Sequence, residues 1–349
     1  MATWQQNLAA SLTDPAAIAA RFALDPAATL AVAARYPVRL TPQLLGLIEG
    51  ADDPVGRQFL PDWRELADDG LLDDPLAETE LAPLPAVVHR YPARVLLLAG
   101  NACAAYCRFC TRKRRVGCAA FRLPFTELLK GIDYIAAHSA IEEVIVSGGD
   151  PLLLPDDALA ELLGRLRRIP HLGVLRIATR TLTVLPERIT PALATLLGRQ
   201  APLYLTTHFN HPRELTPPAA EACAHLAAAG IPLANQTVLL RGVNDDADTL
   251  ATLCTALLHL RVRPYYLHQL DPVRGTGHFR VSFERGLQLV EALRQRVSGL
   301  AVPHYIVDLP GGRGKVALTP EHVVRLGAIA VIRLADGGLV ELPNKEWTS

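Results

Sequence analysis

The sequence predicts an α/β protein, a partial (β/α)6 barrel of the TIM type with an N-terminal helical region and a short C-terminal extension. From residue 95 onward, short apolar or β-branched runs alternate with longer helical patterns, which is typical of parallel βα units. About six such units favour a barrel over an open sheet, and the unusual polar motifs follow predicted strands, at the edge that forms the active-site face of barrels. The 349 residues, 50% hydrophobic, can bury such a core.

The chain divides into three predicted parts: a helical region at 1–86, a barrel at 87–303 and a C-terminal segment at 304–349. In the first part, turns rich in proline and aspartate separate helical segments at 4–12, 14–22 and 42–48. The predicted strands are 95–98, 143–147, 174–178, 203–207, 234–239, 264–270 and 305–308. The predicted helices between them are 125–138, 156–168, 191–197, 217–229, 247–260 and 283–297.

Composition excludes several classes of partner. The formal charge is zero and the pI about 7.2, so no basic surface predicts binding to nucleic acid or to an anionic membrane. No apolar run approaches the about 18 residues of a membrane span, and the first residues do not have the pattern of a signal peptide. Three close cysteines together with three scattered ones, Cys118, Cys223 and Cys254, fit a reducing compartment, which predicts a cytoplasmic protein.

The strongest motif is a cysteine triplet, C-x3-C-x2-C, formed by Cys103, Cys107 and Cys110 directly after the first predicted strand. Three thiolates on one loop can bind three corners of a 4Fe-4S cluster and leave the fourth iron open to a small molecule. A zinc ion with a distant fourth ligand is one alternative, and purely structural thiols are another. With only six cysteines in the chain, chance is a poor explanation of this spacing.

Other polar motifs follow later strands. Gly148 and Gly149 would let the backbone approach a ligand closely, and Asp150 offers an acceptor to an ammonium group, although such a segment is also a common turn. His208 stands at a strand end and can be either a ligand or a structural hydrogen-bonding group. Gln236 interrupts an apolar strand and needs a hydrogen-bond partner if it is buried.

Cationic side chains also lie at informative positions. Arg112 follows the last cysteine of the triplet by two residues, so its planar guanidinium could reach the cavity and bind a carboxylate. Arg90 and Arg94 flank the entry to the first strand and are candidates for a phosphate, or are ordinary surface arginines. Lys315 ends a glycine-rich loop that is not a Walker A loop. It is either a solvated lysine or one that forms a Schiff base with pyridoxal 5′-phosphate (PLP).

Taken together, these motifs resemble the lysine 2,3-aminomutase family, a group of radical S-adenosyl-L-methionine (SAM) enzymes that also use PLP. The resemblance runs from about residue 40 to residue 315 and therefore covers most of the barrel, which would be of the radical SAM type. The segments that carry it are 89–98, 103–114, 147–153, 207–212, 235–244, 263–271, 277–281 and 307–315.

The resemblance implies roles for the residues named above. The three cysteines would bind a 4Fe-4S cluster whose open iron chelates SAM, while Lys315 would carry PLP. The SAM pocket would be lined by Gly148, Gly149, Asp150, His208 and Gln236. Arg112 would bind the substrate carboxylate, and two further residues, Asp271 and Asp308, would receive the distal ammonium of lysine. The implied activity is an isomerase reaction that converts α-lysine to β-lysine, with an external electron donor for the cluster.

Two departures from the long members of the family qualify the resemblance. Asp246 stands where those members have a partner cysteine, and no cysteine follows Lys315, so any homo-oligomer would lack their intersubunit zinc. Short relatives supply β-lysine for the modification of elongation factor P, and His268 is similar to theirs. The alternatives are an aminomutase for another basic amino acid such as arginine, a radical SAM enzyme without PLP, and a non-catalytic iron-sulfur protein.

Overall fold

The barrel sheet has nine strands that follow chain order in the part of the protein that the structure describes. This computed structural model describes residues 3–67, 70–319, 322–326, 329–334 and 337–343. The strands are β1 (Val87–Tyr91), β2 (Arg94–Leu98), β3 (Glu143–Ser147), β4 (Val174–Ala178), β5 (Leu203–Thr207), β6 (Leu233–Leu239), β7 (Val262–Gln269), β8 (His304–Leu309) and β9 (Gly314–Ala317).

Strands β2 to β8 are parallel, and the antiparallel strands β1 and β9 form the two edges of the sheet. Helices on the outside connect the parallel strands, as the sequence predicts. They are α6 (Phe125–Ala137), α7 (Asp156–Arg167), α8 (Thr181–Val184), α9 (Pro191–Gly198), α10 (Pro217–Ala228), α11 (Ala247–His259) and α12 (Phe283–Arg296). The predicted partial (β/α)6 barrel is therefore confirmed. The predicted ends of its strands and outer helices lie within two residues of the observed ones, although the sequence analysis missed α8, and the helix predicted at 4–12 ends three residues earlier, at Ala9.

Local sequence explains where the outer helices begin. Thr190, Thr216, Asp246 and Ser282 each accept a hydrogen bond from a backbone N–H in the first turn of the helix that follows. Apolar side chains on one face of each helix then pack against the buried, β-branched face of the sheet. The sheet and its helices consequently share a continuous core that holds the strand ends in fixed positions.

The N-terminal region consists of short helices that pack beside the cysteine loop. They are α1 (Trp4–Ala9), α2 (Pro15–Phe22), α3 (Pro26–Arg35), α4 (Pro42–Leu47) and α5 (Gly56–Phe59); the sequence analysis missed α3 and α5. Apolar side chains of this region, including Ile18, Leu44 and Phe59, share a core with Ala104 and Ala105 of the cysteine loop. The boundary at residue 86 stays a prediction, although β1 begins one residue later.

The C-terminal segment contains strands that the sequence analysis did not predict. A glycine-rich turn reverses the chain after β8, so that β9 pairs antiparallel with it and Lys315 lies opposite Asp308. A separate antiparallel sheet follows, formed by β10 (Val323–Arg325), β11 (Ile329–Arg333) and β12 (Leu339–Pro343). In the described residues, no helix combines the length and the apolar character that crossing a membrane requires.

Candidate active site

The structure brings all the predicted site residues to one cavity inside the barrel, with a volume of about 380 Å³. Strand alternation explains this convergence, because every second residue of a barrel strand points inward. Residues from both edges of the sheet and from the cysteine loop meet there. The predicted residues that line the cavity are Arg90, Arg94, Cys103, Cys107, Cys110, Arg112, Gly148, Gly149, Asp150, His208, Gln236, Asp271, Asp308 and Lys315.

The cysteine triplet lies on the loop between β2 and α6. Burial raises the pKa of the Cys103 thiol well above its usual range and raises that of Cys110 to about 11. The neighbouring thiols of the triplet increase both pKa values further. Bound iron would remove this cost by binding the thiolate forms. In the described residues, no three His, Cys, Asp or Glu side chains converge on one ion position. In a 4Fe-4S cluster with one open corner, each of three thiolates would bind a different iron.

A buried ion cluster beneath the loop holds it in shape. The Glu65 carboxylate accepts a hydrogen bond from Nε of Arg108 at 2.9 Å, and it lies 2.5 Å from Nζ of Lys113. All three side chains are at most 4% exposed. Burial alone would raise the pKa of Glu65, but Arg108 and Lys113 outweigh it and hold the pKa below its ordinary value. Burial lowers the pKa of Lys113 to about 8, so the two-pronged Arg108 contact is the stronger pairing.

Replacing Glu65 with Gln is expected to lower the free energy of unfolding by about 3 kcal/mol, because two buried cations lose their counter-charge. Urea unfolding at neutral pH measures this. The stabilisation is present above the pKa of an unfolded glutamate and is lost as the pH falls through the lower pKa of the folded state. Glu161→Gln, which removes an exposed pair with Arg165, is the control and should change stability by less than about 1 kcal/mol. Equal effects of the two changes would contradict the bracing role.

The glycines after β3 pack against the cysteine loop rather than against open space. A Cβ on Gly148, whose φ is +119°, would lie 2.4 Å from the carbonyl oxygen of Gly100. A Cβ on Gly149 would lie 2.2 Å from the carbonyl oxygen of Ala102. Because only glycine permits this approach, the two segments form one continuous wall of the cavity.

The structure corrects the interpretation of the Asp150 side chain. Its carboxylate is buried and accepts hydrogen bonds from the Thr179 hydroxyl at 2.7 and 2.8 Å, and from the backbone N–H groups of Leu152 and Arg180. Burial nevertheless raises the pKa of this carboxyl. With its oxygens used in this way, Asp150 joins β3 to β4 and is not a free acceptor for an ammonium group.

Arg180, directly after β4, is a residue that the sequence analysis missed. Its Nη1 donates to the Cys107 sulfur at 2.7 Å, while Nη2 donates to Glu214 at 2.8 Å and to Gln58. Its position past a strand end was the signal that could have revealed it. Arg180 therefore places a guanidinium in direct contact with one cysteine of the triplet.

Two further predicted residues, His208 directly after β5 and Gln236 on β6, also line the cavity. His208 contacts Asn210 at 3.1 Å and packs edge-on against Phe109. Burial is the main cause that lowers its pKa well below the usual range, so the ring is neutral. The chain bulges between Asn235 and Gln236, which leaves Asn235 bonded to the backbone of Phe209 while Gln236 lines the cavity.

Arg112 has a partner that the sequence analysis did not identify. Its Nε and Nη2 donate to the Glu78 carboxylate at 2.9 and 2.7 Å. The remaining nitrogen, Nη1, makes only long contacts of 3.4 Å, to the Ser147 hydroxyl and the Gly148 carbonyl oxygen. One edge of the guanidinium is therefore fixed by Glu78, and the other is available to a carboxylate in the cavity.

Lys315 lines the same cavity and is paired with Asp308. Its Nζ contacts Asp308 Oδ2, and Arg90 donates to Oδ1 of the same carboxylate at 3.0 Å. Burial would raise the pKa of Asp308, but Lys315 and the other nearby cations lower it. Nδ1 of His268 lies 3.8 Å from Oδ2 of Asp308. Burial and the charge of Lys315 lower the pKa of His268 to about 3. Arg90 is thus engaged with Asp308.

Asp271, at the end of β7, differs from Asp308 in its partners. The Thr111 hydroxyl donates to its Oδ2 at 2.6 Å, and no ion pair to it is found within the described part of the chain. Burial, followed by the charge of Asp308, raises the pKa of Asp271 to about 6. Asp271 therefore lines the same cavity as Lys315 and Arg112, and among the described residues no cation forms an ion pair with it.

Comparison with known proteins agrees with this geometry. Residues 97–254 match the family described as the Radical SAM superfamily, and residues 290–343 match the family described as Lysine-2,3-aminomutase. The L-lysine 2,3-aminomutase of Fusobacterium nucleatum is 46% identical, over 82% of this chain and 68% of the relative. That of Clostridium subterminale is 45% identical, over 82% and 69%.

The chain belongs to the lysine 2,3-aminomutase family. Its cofactors are accordingly a 4Fe-4S cluster, SAM and PLP. A glutamate 2,3-aminomutase from Clostridioides difficile is also similar, with 39% identity over 90% of this chain and 75% of the relative. Within the family, the amino acid that is isomerised therefore has to be argued from the cavity.

The residues fit this family's cofactors. Three thiols of one loop can bind the cluster, and the paired glycines bring one wall of the cavity against that loop. The sequence contains four lysines, Lys113, Lys130, Lys315 and Lys345. Lys113 is buried under the loop, Lys130 is exposed on α6 and Lys345 lies outside the described residues, whereas Lys315 reaches the cavity. Covalent attachment of PLP consequently has one candidate among the described lysines.

Proposed function

We propose that the protein is an L-lysine 2,3-aminomutase, an isomerase that moves the α-amino group of L-lysine from C2 to C3 and so produces β-lysine. The observation that carries this proposal is Asp271, a half-buried carboxylate with no ion-pair partner among the described residues, in the same cavity as Lys315 and Arg112. A substrate with a positively charged side chain would supply the missing charge. The matched relatives named L-lysine 2,3-aminomutase support the same conclusion.

The proposed binding mode uses opposite ends of the cavity. Arg112 is fixed by Glu78 through one edge and would bind the substrate carboxylate with Nη1. Lys315 would hold PLP near the substrate amino group, and the side chain of the substrate would extend to Asp271. When bound, the cofactors supply the radical and the covalent carrier for the amino group. The barrel positions these groups and keeps water away from the reacting atoms.

The charge of the substrate side chain distinguishes basic amino acids from glutamate in this cavity. Burial and the charge of Asp308 already raise the pKa of Asp271 to about 6. A glutamate side chain would bring a further negative charge beside this carboxylate. Lysine would replace this repulsion by an ion pair. Arginine shares that property, because a guanidinium can also contact carboxylates, so the two basic amino acids have to be compared directly.

Asp271→Asn is expected to lower kcat/KM for lysine about 100-fold, the scale of removing one partner from a desolvated charge pair. Asp308→Asn should have a smaller effect on lysine binding, since Arg90 already neutralises that carboxylate. Turnover of lysine, arginine and glutamate by the cluster-loaded protein measures this. Asp133→Asn, at an exposed position on α6, is the control. An unchanged rate for Asp271→Asn, or a preference of the parent protein for glutamate, would rule the lysine assignment out.

The same substitution has an expected effect on stability and pH dependence. Folding raises the pKa of Asp271 from 3.8 to about 6. At a pH above both of these values, the ionised carboxylate therefore destabilises the folded state relative to the unfolded state. Asp271→Asn should therefore increase the free energy of unfolding by about 3 kcal/mol at neutral pH, and by nothing below pH 3.8. Lysine binding to the parent should weaken as the pH falls through about 6, because Asp271 then loses its charge.

Partners and location complete the proposal. The cluster requires an external electron donor, and a cluster with exposed iron suits the reducing cytoplasm. β-Lysine would serve the modification of elongation factor P, and a homo-oligomer would assemble without intersubunit zinc. Each of these remains a prediction, tested by β-lysylation of elongation factor P in cells that lack the gene and by the mass of the purified protein in solution.

A further inference from the structure

Arg180 is a buried guanidinium against the cysteine loop, and none of the proposed roles uses it. Its side chain is 9% exposed, and its Nη1 donates a hydrogen bond to the sulfur of Cys107 at 2.7 Å. Arg112, the other arginine beside the triplet, uses two of its nitrogens for Glu78 instead. Among the described residues, Cys107 is therefore the one cysteine of the triplet whose sulfur accepts a hydrogen bond from a cationic side chain.

Four further contacts hold the guanidinium of Arg180 in this position. Its Nη2 donates to Oε1 of Glu214 at 2.8 Å and to Oε1 of Gln58, and both of these partners are fully buried. Its Cζ lies 4.5 Å from the centre of the Phe59 ring and 5.3 Å from the centre of the Phe109 ring. A planar group fixed by two acceptors and two aromatic rings keeps one orientation, which directs Nη1 at the sulfur.

A hydrogen bond to a cysteine sulfur affects the reduction potential of the cluster that the cysteine binds. Reduction adds one electron to the cluster, and the added negative charge is shared between the irons and the sulfurs bound to them. A guanidinium against one of these sulfurs stabilises the more negative, reduced state more than the oxidised state. The effect is larger in a buried site than in water, because the effective dielectric constant is lower there. The contact should therefore make the cluster easier to reduce.

We propose that Arg180 raises the reduction potential of the 4Fe-4S cluster through its hydrogen bond to Cys107, and that the buried charge of Glu214 limits this effect. The inference goes beyond the proposed function and rests on the part of it that assigns the three cysteines to the cluster. Arg180 acts through Cys107 and is a positioning residue. The external donor loses one electron and the cluster gains it, so the potential governs the fraction of clusters that hold an electron for SAM.

The experiment measures the midpoint potential of the cluster-loaded protein without SAM, so that SAM cleavage consumes no electrons. The protein is titrated anaerobically with dithionite and redox mediators, and the reduced cluster, which takes up one electron, is counted by electron paramagnetic resonance. At a fixed potential, Arg180→Gln should lower the ratio of reduced to oxidised cluster about tenfold, which is about 59 mV for a one-electron couple. Glu214→Gln should change the ratio in the opposite direction, because it leaves the charge of Arg180 unshared.

Arg188→Gln is the matched control for loss of a buried arginine. Arg188 is fully buried, but its Nε and Nη2 donate to the backbone carbonyl oxygens of Leu152 and Leu154 rather than to a cysteine. Its replacement should leave the ratio of reduced to oxidised cluster unchanged. A shift as large as that of Arg180→Gln would show that the potential responds to the loss of any buried guanidinium, and would overturn the proposal.

Arg180→Lys decides the question, together with Glu214→Gln, if Arg180→Gln does not retain the cluster. It keeps the charge but lacks the planar fork that reaches Cys107 and Glu214 together, so its ratio should lie below that of the parent. An unchanged ratio in the Arg180 variants, or a shift of the Arg180 and Glu214 variants in the same direction, would overturn the proposal. A parent protein that holds no 4Fe-4S cluster would instead contradict the assignment of the cysteines, so the two failures are distinguishable.

Discussion

Lys315→Ala is expected to lower the rate of amino-group migration about a thousandfold or more while leaving the iron content unchanged. The substitution removes the amine that attaches PLP, and a covalent catalytic group of this kind has effects on that scale. The fold should survive, because Asp308 keeps its contact with Arg90 and the Tyr91 hydroxyl still accepts the backbone N–H of residue 315 at 3.0 Å. Chiral analysis of the lysine products measures the migration, and iron and sulfide assays measure the cluster.

Attachment of PLP gives a second readout for Lys315. Borohydride reduction of the parent protein followed by peptide mapping should find one modified lysine, and the sequence offers only four. Lys130→Ala, at an exposed position on α6, should leave the adduct and the rate unchanged. An adduct on Lys113 or Lys345 in the parent protein would show that Lys315 has been assigned wrongly.

The fold was predictable because its signals are local. Short apolar or β-branched runs mark β3 and β4 in the sequence itself, and hydroxyl or carboxylate N-caps such as Thr216 and Asp246 mark where helices begin. The cavity was predictable for a related reason: in a parallel barrel the strand ends meet at one edge, so motifs far apart in sequence come together. Cys107 follows a strand end and was predicted by that rule, whereas Lys315, which lines the same cavity, was predicted from the resemblance to the family.

The partners of those residues were not predictable in the same way. Glu78 and Glu65 come from the irregular N-terminal region, which carries no periodic signal, yet they fix Arg112 and Arg108. Arg90 was assigned to a phosphate by its position, and a contact across 218 residues with Asp308 gives it another partner. Ion pairs of this kind depend on how separate segments pack, and packing is not encoded in the spacing of residues along the chain.

Arg176 shows the limit of reading motifs only at strand ends. The strand VLRIA places an arginine in the interior of an apolar run, and a charge at that position needs either a partner or a ligand. That pattern was visible in the sequence, but the partner was not: Arg176, which lines the cavity, donates through Nη2 to the carboxylate of Glu143 on β3. A charged residue at an inward position of a barrel strand is therefore as informative as one at the strand end.

Cys107→Ala is expected to abolish both the 4Fe-4S cluster and the reductive cleavage of SAM. Cys103, Cys107 and Cys110 would each bind one iron, and two thiolates cannot hold the cluster with a fourth corner open. The fold should persist, because the loop is also braced by Arg108 on Glu65 and by Arg39, which donates to the Cys103 carbonyl oxygen at 2.8 Å. Arg180 would then lose its sulfur contact but keep Glu214.

The other cysteines provide controls matched in chemistry but not in position. Cys118 lies on the same loop outside the cavity, whereas Cys223 and Cys254 are buried in α10 and α11, where burial raises the pKa of each thiol to about 12. Their alanine variants should retain iron and release 5′-deoxyadenosine from SAM at the parent rate. Iron content, visible absorption and 5′-deoxyadenosine release under anaerobic reduction measure the three outcomes. A Cys107→Ala protein that still cleaved SAM at the parent rate would refute the cluster assignment, because no other described thiol reaches the cavity to replace it.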